Sequence, residues 1–388
     1  MKNLFSNLFI SCPNNGGIFF IDGCVAKKLD NTNSTGLFYH DGLLLRGLQP
    51  AKLVAYTEEY LDISAKNTFD DIHDVLIHDG DYYAVSTSKN EVIQLSSLGE
   101  LKGKWGIPGE SDSSHLNCLA IWNQKIIVSA FGHFFHHREY KNNTLDKGII
   151  YDLKSMKPII GGLSQPHSPY AIGSNLLVAN SETKEVIEFS ASGAITRRIK
   201  LDGYTRGIYY RKGVLFVGLS VSRNVEENNN VSAEIVAIDY ASFTEMDRLP
   251  IPSNEIYSII EINDPFQTLK IISSIVNQSC ITQKQMLAEQ KFENETTKDW
   301  AQRLDNELKE KNEQLKSLQQ EFEERSSWAI QLNESLEREK SNRISADHLS
   351  KGLEIAKSLA QEKILWAKNI DQQLAVATQK IIQLQSET

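Results

Sequence analysis

The chain has 388 residues, of which 41 are basic and 50 acidic, for a net charge of 41 − 50 = −9. That length excludes a small fold that depends on staples for its core, and the acidic balance argues against a broad electrostatic footprint for nucleic acid. Four cysteines, Cys12, Cys24, Cys118 and Cys280, stand far apart with no CxxC pair; this is neither a disulfide framework nor a zinc motif and suits a reducing cytoplasm.

The first twelve residues, Met1 to Cys12, carry one lysine, a short apolar stretch and a cysteine, faintly like a lipoprotein signal. The stretch is interrupted by Ser6 and Asn7 and is short for a signal core, so a first β-strand ending near Cys12 is the preferred reading. Asn14-Asn15-Gly16-Gly17 then reads as a turn, because a strand from Ile18 to Ile21 follows it where a phosphate-binding loop would be followed by a helix. No run of about 18 apolar residues occurs, so no membrane span is expected.

From there to about residue 270 the chain reads as β. Short apolar runs follow turn signals: His40-Asp41-Gly42 before Leu43-Leu44-Leu45, Asp79-Gly80-Asp81 before Tyr82-Tyr83, Asn123-Gln124 before Ile126-Ile127-Val128, and Lys212-Gly213 before Val214-Leu215-Phe216. Second hairpins match as well, with Asn90 to Leu95, Lys184 to Phe189 and Ala233 to Asp239 sharing one pattern. A short polar motif precedes each unit, at Thr35, His73, Asn117, His167, Arg206 and Glu255. The steps between these residues are 38, 44, 50, 39 and 49. A repeat of about 40–50 residues with about four strands is the signature of a β-propeller. Six copies imply six blades, the N- and C-terminal strands sharing one blade, with five or seven as the alternatives.

In a propeller the innermost strands line the central channel, so the six polar residues should converge at one mouth, with Asp74, His115 and Tyr204 close by. Three readings fit such a ring. In the first, His73, His167 and Glu255 hold a divalent metal, since imidazole and carboxylate suit zinc, iron or manganese. In the second, a catalytic site works without metal, His115 acting as base and Arg206 holding an anionic group. In the third, the polar residues satisfy backbone groups where inner strands meet around water. The stretch Gly132 to Tyr140 holds His133, His136 and His137 with two phenylalanines. It reads either as a metal cluster or as an aromatic, basic loop over the channel mouth. Asn117, His137, Arg138, Tyr140, Tyr204 and Arg223 are the candidate substrate contacts, with Tyr170, Tyr257 and His133 adding to an aromatic lip. Nucleotide-binding GxGxxG, Walker, GxSxG and HExxH motifs are absent.

The composition breaks near residue 280. All nine prolines and thirteen tyrosines precede it, and of 22 glycines only Gly352 follows it. Heptad-like spacing runs through Ala301, Leu304, Leu308, Leu315, Leu318, Phe322, Ala329, Leu332 and Leu336. It resumes in a second register from Leu353, Ala356 and Ala360 to Ala367, Ile370, Leu374, Ala377, Ile381 and Leu384, with a phase slip between about 339 and 349. A straight helix of ~100 residues would be about 150 Å long and cannot bury its seam alone. It therefore implies a homo-oligomeric coiled coil through 281–388 or, as the alternative, a hairpin folding back near Gly352. The expected organisation is an all-β propeller over 1–270 and a helical coiled-coil region over 271–388.

Several stretches also resemble a bacterial family known only as a domain of unknown function. These are Ser11 to Gly17, Asp71 to Val75, His115 to Ala120, Ser129 to Gly132 with His137 to Tyr140, Gly162 to Pro169, Gly203 to Gly207, and Val217 to Ser220 with Ser222-Arg223. The resemblance covers about residues 8 to 262. It implies a six-bladed propeller and an association with glycosyltransferases and surface-polysaccharide proteins, and it implies no reaction. The resulting expectation is a cytoplasmic binding and assembly module that recognises a sugar, a nucleotide sugar or a glycosyltransferase partner. The alternative is a metal-assisted lyase, epimerase or hydrolase acting on a sugar-derived substrate.

Overall fold

The computed structural model describes residues 4–64, 69–221, 232–293, 297–341 and 346–386. Apolar runs bounded by left-handed turns dictate its β architecture. Asp41-Gly42, Asp79-Gly80, Asn123-Gln124 and Lys212-Gly213 all have positive φ at both positions, the backbone that twists two antiparallel strands into a tight hairpin. The strands are β1 (Leu8–Cys12), β2 (Gly17–Asp22) and β3 (Val25–Asp30), followed by five consecutive meanders. The first is β4 (Ser34–His40), β5 (Leu43–Leu48), β6 (Lys52–Tyr56) and β7 (Tyr60–Asp62), and the second β8 (Ile72–His78), β9 (Asp81–Ser86), β10 (Glu91–Leu95) and β11 (Leu101–Gly106). The third is β12 (Leu116–Trp122), β13 (Lys125–Ala130), β14 (Gly148–Asp152) and β15 (Lys157–Leu163). The fourth is β16 (Pro166–Ile172), β17 (Asn175–Asn180), β18 (Glu185–Phe189) and β19 (Ile195–Lys200), and the fifth β20 (Tyr204–Arg211), β21 (Val214–Ser220), β22 (Ala233–Asp239) and β23 (Thr244–Ile251).

Each meander is one four-stranded sheet, and a sixth sheet is ordered β24-β1-β2-β3, in which β24 (Ser258–Glu261) pairs with β1. The fold is therefore a six-bladed β-propeller whose last blade is completed by strands from both ends of the β region, as the repeat count predicts. The inner strands β4, β8, β12, β16, β20 and β24 neighbour one another in a closed ring. Apolar side chains of adjacent blades pack between them, for example Phe216, Ile235 and Ile259 between the fifth and sixth blades. Burial of such side chains contributes roughly 1.5–3 kcal/mol each.

Each blade is tied to the next by a buried polar side chain that donates to a carbonyl of the neighbouring inner segment. Going round, these are Thr35 Oγ1 to Ile72 (2.9 Å), Thr87 Oγ1 to Leu116 (2.6 Å), Asn117 Nδ2 to Pro166 (2.9 Å), Ser181 Oγ to Thr205 (2.6 Å), Ser220 Oγ to Ile256 (3.1 Å) and Ser11 Oγ to Thr35. Inner-strand carbonyls at the channel have no ladder partner on that side, and these bonds satisfy them.

The chain divides into two compact units, Met1–Ser279 and Cys280–Thr388. The division falls inside α1 (Pro265–Glu293), later than the expected boundary at 270/271. Ile271 and Ile275 explain the shift, since both are fully buried against Leu44, Leu48, Val54 and Tyr56, so the first turns of α1 belong to the propeller core. In the second unit α2 (Thr297–Ser341) and α3 (Ala346–Ser386) pack on each other. The Arg325 guanidinium lies over Trp366 and the Lys363 ammonium over Trp328. Both pairs are symmetric about positions 345–346, which makes the helices antiparallel. α2 ends and α3 begins within the span of the phase slip, while Gly352, where a break was expected, lies within α3. Seam residues Leu308, Ala329, Ala360, Ala367 and Ile370 are buried, whereas Leu318, expected in the same seam, is exposed. The side chains of Ala301, Leu304, Leu336, Leu353, Ala377, Ile381 and Leu384 lie outside those described. No helix among the described residues is long and apolar enough to cross a membrane.

Candidate functional site

The channel mouth is shaped by a repeated irregularity. Five inner strands carry one extra residue at the polar motif, the register shifting between Ser34 and Leu37, Ile72 and Val75, Leu116 and Leu119, His167 and Tyr170, and Arg206 and Ile208. Such bulges re-aim a side chain and end regular pairing. Two residues ahead of three of the ring positions, Asp71, His115 and Gln165 all take a left-handed backbone. This repeated turn lets His73 Nδ1 reach the carbonyl of Asp71 (3.1 Å) and His167 Nδ1 reach that of Gln165 (2.9 Å).

A carbonyl only accepts, so in both residues Nδ1 carries the proton and Nε2 carries the lone pair. Burial depresses the pKa of both imidazoles. His73 falls to about 4, even though Asp71 pulls it upward, and His167 falls well below its ordinary value, with Arg206 adding to the effect. His167 Nδ1 also meets Ser181 Oγ at 2.8 Å, and that hydroxyl donates onward to Thr205. His167 Nε2 is buried and has no hydrogen-bond partner.

His115 is oriented differently. Its Nδ1 meets the buried carboxylate of Asp112 at 2.7 Å, and Asp112 also accepts Arg138 Nε and Tyr140 OH, each at 2.8 Å. These donors outweigh burial and hold Asp112 at about 2. The ring of His115 packs against Phe131 (4.2 Å between centroids), Tyr140 (4.9 Å) and His73 (4.9 Å). Phe131 lies 5.3 Å from His167, which in turn faces Tyr204 and Tyr257. Arg206 is sandwiched between Tyr204 (5.2 Å) and Tyr257 (5.5 Å). Its Nη1 lies 3.3 Å from Glu255, while its buried Nε has no partner.

Next to His73 in the chain, Asp74 accepts the Leu119 N–H at 2.7 Å, and burial pushes its carboxyl up to about 7. Cys118 sits 3.8 Å from Tyr257 OH, its thiol pushed up to about 12 by burial.

The structure thus gathers His73, His115, His167, Tyr204 and Arg206, with Tyr140 beside them. It treats the other sequence candidates otherwise. Glu255 is engaged by Arg206 and by Asn14 Nδ2. Among the described residues no three His, Cys, Asp or Glu side chains form a metal-ligand group, so His73, His167 and Glu255 are not assembled as a ligand set. Arg206, expected to hold an anion, already has a carboxylate beside it. Asn117 is fully buried, its Nδ2 donating to the Pro166 carbonyl and its Oδ1 accepting from Ser129 Oγ, so it serves the blade seam as Thr35 does. Within the 133–140 loop His133 packs on Phe135, His136 faces Glu110, and His137 Nδ1 meets the Ser111 carbonyl. These three histidines are dispersed, and the loop's contribution to the site is Arg138 and Tyr140 on Asp112. Tyr170 meets Tyr209 edge to face, 6.0 Å away, and packs against the core between the fourth and fifth blades. Arg223 lies outside the described residues. A shallow groove beside Trp122, Lys125 and Ile159 opens at the far end of β12 and holds no titratable cluster.

Sequence reasoning missed Asp112 and Phe131. Neither occupies a repeated position, and the partners of Asp112 on the loop are 26 and 28 residues away. A second omission lies between the first and sixth blades. There Arg46 is fully buried, paired in fork geometry with Asp30 at 2.6 and 2.9 Å and bonded to Ser34 and Tyr56.

Among solved structures the chain is similar to a protein of unknown function from Bacteroides caccae, at 12% identity over 66% of this chain and 98% of that one, TM-score 0.51. It is also similar to a chain of a nidogen/laminin complex, at 12% identity over 65% and 96%, TM-score 0.48. A third likeness is to a putative 6-phosphogluconolactonase from Bacteroides fragilis, at 12% identity over 66% and 97%, TM-score 0.43. At these identities the first likeness speaks for the propeller fold alone, and the other two carry no argument. No curated protein matches the sequence. The family described as "Domain of unknown function (DUF4915)" matches residues 54–267, which run from the first blade through the ring to the start of α1 and exceed half of the chain, and the chain belongs to that family.

Proposed function

We propose that this protein is a binding module whose channel mouth receives a sugar-bearing ligand, and that it works in bacterial surface-glycan assembly beside a glycosyltransferase. The observation that carries the reading is the pair of buried, unpartnered polar atoms, His167 Nε2 and Arg206 Nε, set among the rings of Tyr204, Tyr257 and Phe131. A buried polar group without a partner costs roughly 1–3 kcal/mol, and a ligand that satisfies it recovers that cost. Aromatic faces beside polar groups suit the apolar C–H faces and hydroxyl edges of a sugar. The setting in glycan assembly rests on the family resemblance. The helical unit supports self-association as well, because Leu318, Trp328, Ile330 and Leu365 remain exposed on the α2–α3 pair. A cytoplasmic location agrees with the thiols of Cys12, Cys24 and Cys118.

The test is calorimetric titration of the full chain with monosaccharides, nucleotide sugars and glycan fragments, alongside the double variant His167→Ala, Arg206→Ala. Binding by the wild type that the variant loses while its circular dichroism persists supports the reading. A folded wild type that binds none of them at millimolar concentration overturns it.

One observation favours a second, enzymatic reading. Asp112 fixes His115 with the proton on Nδ1, leaving Nε2 as a general base next to the same site. His115 then removes a proton from a sugar-derived substrate without a metal. Incubation of a bound sugar in D2O, followed by NMR, tests this against His115→Gln: deuterium incorporation or bond cleavage by the wild type alone supports catalysis, and an unchanged sugar in both argues for a binder.

A further inference from the structure

We infer that the channel mouth recognises an uncharged sugar moiety through hydroxyl groups that donate to His73 Nε2 and His167 Nε2 and accept from Arg206 Nε. This rests on the reading of the mouth as a sugar site and names the ligand class within it.

The inventory of groups leads there. Both imidazoles spend their Nδ1 proton on a backbone carbonyl, Asp71 and Gln165 respectively. Each therefore presents a lone pair, and the group that meets it must be a donor. A carboxylate or a fully ionised phosphate has no proton to give and would face these lone pairs unfavourably. Arg206 Nε presents the complementary donor.

The charges argue the same way. Arg206 is balanced by Glu255 at 3.3 Å and Arg138 by Asp112 at 2.8 Å, while Asp71 lies 3.5 Å from His73. Buried Glu255 and Asp112 are acceptor-only carboxylates, so no cationic excess is left to compensate the desolvation of an anion. A hydroxyl both donates and accepts, and several hydroxyls on one ring reach two acceptors and one donor at once.

The experiment compares matched pairs on the full chain: glucose with glucuronate and glucose 1-phosphate, and galactose with galacturonate and galactose 1-phosphate, with N-acetylglucosamine as a further neutral probe. Binding is read by calorimetry. In parallel, 15N NMR of imidazole-labelled protein follows the lone-pair nitrogens directly, so the result does not depend on a variant that fails to fold. The expected outcome is that at least one neutral sugar binds, that its acidic partners bind no more tightly, and that the Nε2 resonances of His73 and His167 move toward hydrogen-bonded values. His167→Phe, which keeps a ring but removes the acceptor, should weaken binding about tenfold. Acidic forms binding more than tenfold tighter than neutral ones would overturn this inference and leave the sugar site standing. Binding of a neutral sugar with both Nε2 resonances unmoved would overturn the hydroxyl assignment. Stoichiometric zinc uptake that is lost in His73→Ala, His167→Ala would assign the lone pairs to a metal and overturn it too. A folded protein that binds none of the probes would remove both this inference and the sugar reading beneath it.

Discussion

At the scale of single residues, the channel holds titratable groups that pull stability in opposite directions with pH. His73 falls to about 4 in the fold, against an ordinary 6.5. Between those values the unfolded chain binds more protons than the native one, so the His73 contribution is intact above pH 6.5 and is lost as pH drops through 4. A displacement of that size is worth roughly 3 kcal/mol at its full extent. His167 acts in the same direction. Asp74 is opposite: its carboxyl rises to about 7 from an ordinary 3.8. Its contribution is intact below pH 3.8 and is lost as pH climbs through 7. Two histidines act against one carboxyl, so Asp74 cancels only part of their effect, and a wild-type stability that rises gently between pH 4.5 and 6.5 is the expected sum. Asp74→Asn removes the acidic half while keeping an acceptor for the Leu119 N–H. Urea midpoints of that variant should then rise more steeply than those of the wild type from pH 4.5 to 6.5, and parallel profiles would show that Asp74 titrates normally. Asp112 offers a second residue-scale test. Asp112→Ala strips the acceptor from His115, Arg138 and Tyr140 together and should cost about 3 kcal/mol in urea unfolding, against about 1 kcal/mol for Tyr140→Phe.

At the scale of elements, the blades depend on the bulged start of each inner strand and the seam bond beside it. Gly36 occupies the extra position in the first blade, and a Cβ there would lie 2.3 Å from Asp74 Oδ1 and 2.6 Å from the backbone of Asp74 and Val75. The backbone cannot retreat without moving the ring position of the second blade. Gly36→Ala should therefore cost about 3 kcal/mol or more, and Ser220→Ala, which frees the Ile256 carbonyl and its N–H without displacing backbone, about 1–2 kcal/mol. Equal losses in chemical denaturation would show that the strand starts are loosely packed. This is also where the sequence was informative and where it stopped being so. Turn pairs such as Asp79-Gly80 and the spacing of Thr35, His73, Asn117, His167, Arg206 and Glu255 exposed the blade count, because each is a local signal repeated in phase. The division of labour among those six was not local. Thr35 and Asn117 differ from His73 and His167 only in what the next blade offers them, a carbonyl at hydrogen-bond distance. Asp112 lies in a loop that the repeat does not include, and Asp30 and Arg46 pair across blades at opposite ends of the count. Pairings made by tertiary packing leave no periodic trace.

At the scale of the whole molecule, α1 is the segment whose assignment carries a testable consequence. Composition changes near residue 280, and helix propensity begins at Pro265, so pattern alone does not say where the propeller ends. Packing does. Asp264 Oδ1 caps the helix by accepting Phe266 N at 2.8 Å and Gln267 N at 3.2 Å, and the next two turns bury Ile271 and Ile275 against the first and sixth blades. A chain cut after residue 279 keeps all of this, whereas one cut after residue 264 exposes the Ile-contacting face of Leu44, Leu48 and Tyr56. With roughly 1.5–3 kcal/mol for each buried isoleucine, the shorter chain should lose about 4 kcal/mol. The longer one should stay within about 1 kcal/mol of the full protein, as read by fluorescence of Trp105 and Trp122 in urea. Light scattering on the same samples addresses self-association. If the helices make the oligomer, the full chain runs as a multiple of its mass and the chain ending at 279 as a monomer. A monomeric full chain would leave the α2–α3 pair as the complete helical unit, with its seam closed inside one molecule. An oligomer that survives the cut at 279 would move the interface onto the propeller.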